Sequence, residues 1–118
     1  MAFFNLFLLL SMGHFLGDFA LQSDRMAQEK CAGADSTLPW WMWLIAHGAI
    51  HGLIVAVLTG LPLLGLGEWV VHSGIDYGKC RHRYSLITDQ VFHLICKAAW
   101  AALIVLMFPA EKAWLLKP

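Results

Sequence analysis

"LLLSMGHFLGDFALQ", residues 8–22, sets a histidine and an aspartate four positions apart, His14 and Asp18, inside an otherwise apolar run. An unpaired carboxylate in such surroundings is costly, so its partner has to come from elsewhere in the chain. The same spacing recurs three times. "HGAIH" holds His47 and His51, "HSGID" holds His72 and Asp76, and "DQVFH" holds Asp89 and His93. At i and i+4 both side chains share one helical face, about 6 Å apart along the axis. Only His82, in a basic loop, stands outside this pattern.

Composition says what surrounds these pairs. The chain has 118 residues, 59% of them hydrophobic and 14% charged, with no net charge. A soluble domain averages about 25% charged residues, and one this small has too much surface to hide the apolar excess. Lipid is the solvent that fits the outer faces. No basic stretch is long enough to bind nucleic acid. The cysteines, Cys31, Cys80 and Cys96, are odd in number and share no C-x-x-C spacing, so neither a disulfide framework nor a thiolate zinc site is expected. "MAFFNLFLLL" lacks a basic leader and a small-residue cleavage site, which makes it a first span rather than a removed signal.

A membrane-crossing helix needs roughly 20 mostly apolar residues. The pattern predicts an all-α, single-domain, four-helix transmembrane bundle, with helices over about 3–25, 40–59, 62–80 and 87–108. The third is the weakest span, carrying Glu68, His72 and Asp76. Pro62 suits the first turn of that helix. Trp40, Trp41 and Trp43 read as an interfacial belt, with Trp114 at the opposite face. Arg25, Lys30, Lys79, Arg81 and Arg83 fall on one side, and Lys112 and Lys117 on the other. The positive-inside rule then puts loops one and three in the cytoplasm and both termini outside. On that topology all four polar pairs lie at one level, toward the cytoplasmic end. Gly13 and Gly17, Gly48 and Gly52, Gly74 and Gly78, and Ala98 and Ala102 would let the helices approach closely there.

Five imidazoles and three carboxylates meeting in a dry place make a nitrogen/oxygen metal centre. Its expected ligands are His14, Asp18, His47, His51, His72, Asp76, Asp89 and His93. Zinc suits this set, with iron or manganese as alternatives. Eight donors exceed one tetrahedral zinc, so of one or two ions, two fit the ligand number better. Di-metal carboxylate bundles share the architecture, although they use Glu-x-x-His. A single membrane histidine, or one His–Asp pair, is more often a contact between helices. The common spacing and depth of four pairs favour metal. A metal-free His/Asp network acting as a proton relay is the surviving alternative, and haem would leave three aspartates unexplained.

"GHFLGDFALQSDRMAQEK", "HGAIHG", "HSGIDYGK" and "DQVFH", in this order, resemble the motifs of a bacterial and phage membrane family called domain of unknown function 3307. The resemblance runs from about residue 11 to residue 95. It implies a small multi-pass protein of the bacterial inner membrane and no established activity. In residue types alone, the chain is also similar to small inner-membrane proteins described as membrane-bound metal-dependent hydrolases.

Two functions follow as expectations. In the first, the metals activate water for attack on a phosphate or acyl centre of a lipid-linked substrate. Glu68 would then be a candidate base, and Lys79, Arg81 and Arg83 would receive an anionic headgroup. The plainer roles of these cations are topology and snorkelling. Gln22 and Asp24 would orient ligands or cap the first helix. In the second function the metal is a structural staple in a protein that binds or regulates a partner. Membrane lipid is the expected surrounding, and a homo-oligomer is compatible with the sequence. Metal or proton transport fits less well, because the outer half is apolar apart from Glu68.

Overall fold

The computed structural model describes residues 2–34 and 37–107. Every regular element among them is helical: α1 (Ala2–Phe15), which runs on into a π-helical turn (Leu16–Ala20), α2 (Asp24–Glu29), α3 (Trp40–Thr59), α4 (Pro62–Cys80) and α5 (Leu86–Met107). The first predicted span is therefore divided. Its ladder widens where Leu21 N–H bonds the Leu16 carbonyl at 2.9 Å. Ser23 then starts a new helix, its hydroxyl accepting from Met26 N–H at 3.1 Å. The next turn is sharply punctuated, with Pro62 where the sequence predicts it. Gly60, at φ 71°, ends α3 in the left-handed conformation that favours glycine, and Pro62 opens α4. Trp114, Lys112, Lys117 and the predicted last residue of the fourth span lie outside the described residues.

Three helices are long and apolar enough to cross a membrane: Ala2–Ala20, Trp40–Thr59 and Leu86–Met107. Twenty residues at 1.5 Å each give α3 about 30 Å, the thickness of a hydrocarbon core. α4 does not reach that apolarity, because Glu68, His72 and Asp76 lie within it. All three of those side chains are buried, whereas Leu63, Leu66 and Val70 on the same helix are exposed. The other helices show the same inversion. His47, His72 and His93 have no exposed surface, while Leu106 is 82% exposed. A water-soluble domain arranges these residue types the other way round.

The bundle interior has two levels. At one end, Leu6, Leu10, Val55, Leu64, Ala101 and Ile104 form an apolar core. At the other end lie the histidines and aspartates. α3 and α4 touch through glycine: a Cβ on Gly52 would stand 2.7 Å from the Gly65 carbonyl oxygen. The predicted small-residue contacts are met unevenly. Gly13 packs on Ile54 and Gly17 on His51, but Gly74 faces open space.

Candidate metal centre

Asp18 sits at the middle of the polar level. The π-helical turn carries it inward, and such turns are common at functional sites. The Asp18 carbonyl accepts from Gln22 Nε2 at 2.8 Å, so Gln22 caps the turn. Asp24 lies in the first turn of α2. Gly17 makes room beside Asp18, since a Cβ there would meet the His51 ring at 2.6 Å.

The eight predicted ligands come together from α1 and its π-helical turn, α3, α4 and α5. Asp18 Oδ1 lies 3.1 Å from His47 Nε2, 3.0 Å from His51 Nε2 and 3.6 Å from His72 Nε2. Asp18 Oδ2 lies 3.4 Å from His14 Nε2 and accepts from Gln90 Nε2 at 2.8 Å. Asp76 Oδ2 lies 3.3 Å from His47 Nε2 and 3.6 Å from His72 Nε2, and its Oδ1 lies 3.0 Å from His93 Nε2. The Nε2 atoms of His47 and His72 are 3.1 Å apart. Asp89 joins through His93, its Oδ1 3.5 Å from His93 Nε2. Two aspartates thus tie together five rings, each aspartate offering both oxygens.

Buried Lys30 and Lys97 and half-buried Gln90 complete the cluster without having been picked out in the sequence as its members. Lys30 donates to Asp76 Oδ2, Lys97 donates to Glu68 Oε1, and Gln90 Oε1 lies 3.0 Å from His14 Nε2. Lys97 had a signal, because it follows Asp89 and His93 at the same four-residue step. Lys30 had none, since it precedes Cys31 in what reads as a polar loop. Glu68 stands behind the rings, its Oε1 3.4 Å from His72 Nδ1 and its Oε2 accepting from Trp100 Nε1 at 2.7 Å. Lys79 is half-buried on the last turn of α4, and Arg81 and Arg83 are exposed beyond it. No ion pair among the described residues joins these three to the cluster.

The expectation of no disulfide framework is corrected by one bridge. Cys31 and Cys80 form a disulfide, leaving Cys96 free. The bridge ties the segment that carries Lys30 to the end of α4, four residues past Asp76. An odd cysteine count and a separation of 49 residues hide such a pair.

Several sets of these atoms lie close enough together to hold a cation: His14, Asp18, His51 and His72; His47, His72 and Asp76; and Asp18, Asp89 and His93. His51 Nε2 is buried with no hydrogen bond, although Asp18 Oδ1 is 3.0 Å away. The model of the family described as protein of unknown function (DUF3307) matches residues 6–117. No curated protein and no solved structure matches the chain.

Proposed function

The chain belongs to the DUF3307 family, whose description carries no activity, and we propose that it is an integral membrane protein built around a divalent-metal centre with the chemistry of a metal-dependent hydrolase. One observation carries the reading. Asp18 Oδ1, Asp76 Oδ2 and the Nε2 atoms of His47, His51 and His72 are spaced 3.0–3.6 Å along their contacts. Donors around a tetrahedral zinc, with bonds of roughly 2.1 Å, lie about 3.4 Å apart. The bare His51 nitrogen beside Asp18 suits two ligands of one ion better than a donor and its acceptor. Zinc fits the imidazole-rich set, and iron or manganese would also be accepted.

An ion held by three of these donors would keep its fourth position for water or substrate. A metal so held activates water and stabilises charge developing on a phosphate or acyl centre. The chain's residues supply a buried polar cluster at one end of the bundle, and Arg81 and Arg83, five and seven residues past Asp76, are exposed to meet an anionic headgroup. The near-complete burial of the ligands favours a second reading, a structural staple in a protein that binds a partner. The apolar core beyond Glu68 and Lys97 speaks against a transport path. The test is metal analysis of the detergent-purified protein, with turnover of a fluorogenic phospholipid by the zinc-loaded form. Stoichiometric metal that is lost in His51→Ala supports the centre, and turnover then separates hydrolase from staple. Protein purified without metal, and unable to take up zinc, would sink both.

We further propose that α4 is a fourth span, since its polar residues face inward and its outer residues are apolar. Charge bias then places the histidine end in the cytoplasm and the termini outside. A disulfide persists on an oxidising side, so the Cys31–Cys80 pair is expected to be a reversible thiol pair in the cell. An alkaline phosphatase fused to the C-terminus should therefore be active. An inactive fusion, with impermeant maleimide labelling Cys31 after reduction of intact cells, would reverse the orientation.

A further inference from the structure

Buried charge in a membrane interior must be balanced close by, because an unmatched ion there costs several kcal/mol or more. The polar level can be counted on that basis. Its buried carboxylates are Asp18, Glu68, Asp76 and Asp89, and its buried ammonium groups are Lys30 and Lys97. Glu29, also buried, accepts from Thr37 Oγ1 and Trp43 Nε1 and has Arg25 at 3.8 Å, a pair that adds no net charge. The remaining buried ionisable groups are imidazoles, which bind metal in their neutral form. Four carboxylates against two ammonium groups leave two negative charges. One divalent cation cancels them, and two would leave an equal excess of positive charge.

Position agrees with the count. Asp76 Oδ2 faces the Nε2 atoms of His47 and His72 and also receives Lys30 Nζ. That oxygen would otherwise be free to bridge to a second ion. Lys97 occupies Glu68 in the same way, about two helical turns along α4 from Asp76. We propose that the centre takes one divalent cation and that the Lys30 ammonium stands where a second metal ion would otherwise bind. This rests on the metal reading above and corrects the pair of ions expected from the number of ligands. It also gives Lys30 a task in that chemistry: with the single ion it forms a two-cation clamp for an anionic substrate group, the part played by two metals in dinuclear sites.

Zinc per chain, measured on full-length protein in nanodiscs by mass spectrometry after zinc loading and desalting, tests the proposal. The expected ratio is one for the wild type and for Lys30→Arg, which keeps the charge. Lys30→Met should raise it toward two. Glu68→Gln combined with Lys97→Met removes one charge of each sign and should leave it at one. A wild-type ratio of two would overturn this inference and leave the metal centre standing. A ratio of zero would overturn the metal centre, and this inference with it. A folded Lys30→Met protein that stays at one would also overturn it. The wild-type ratio decides by itself if Lys30→Met does not fold.

Discussion

Asp18→Asn should purify with little or no metal, its zinc affinity at least about 100-fold below that of the wild type. Loss of a group that only supports a ligand already costs 10–100-fold, and Asp18 is more central than that. Its two oxygens touch four of the five clustered histidines and Gln90. Asparagine keeps the volume and one carbonyl oxygen but removes the charge and turns the other oxygen into a donor. Competition titration with a zinc chelator would read the change. Unchanged affinity would remove Asp18 from the ligand set and leave the π-helical turn without its proposed purpose.

The site was legible to the extent that it obeys helix periodicity. A four-residue step puts His14 with Asp18, and Asp89 with His93, on a common face whatever surrounds them. The common level of the pairs followed from connecting the helices in order. What escaped had no periodicity to betray it. Lys30 reaches Asp76 only because Ser23 restarts the helix and α2 folds back against the bundle. Gln90 is one residue away from Asp89, a step that periodicity assigns to another face, yet its long side chain still reaches His14 and Asp18. α4 scores low as a span because Glu68, His72 and Asp76 enter its mean hydropathy although all three are buried. Sequence averages cannot separate such an inside-out helix from a merely polar one. Lys97 was legible and overlooked, since it prolongs the ladder that Asp89 and His93 begin.

Lys97 also gives the second large effect. Glu68→Leu should destabilise the protein by about 3–5 kcal/mol, the usual result of removing one partner of a buried ion pair. Lys97 Nζ has Glu68 as its ion-pair partner among the described residues, and both side chains are 1% exposed. The stranded ammonium lies one turn from the apolar core of Leu64, Ala101 and Ile104, too far from the bundle's end to reach water easily. Adding Lys97→Met to Glu68→Leu should recover most of the loss, because a well-packed apolar pair replaces a buried ion pair at little cost. Unfolding curves in mixed micelles for the two single variants and the double variant complete the cycle. Recovery by the second substitution identifies the stranded charge as the cause. A double variant as unstable as Glu68→Leu would place the loss in packing around Trp100 instead, whose Nε1 donates to the same carboxylate.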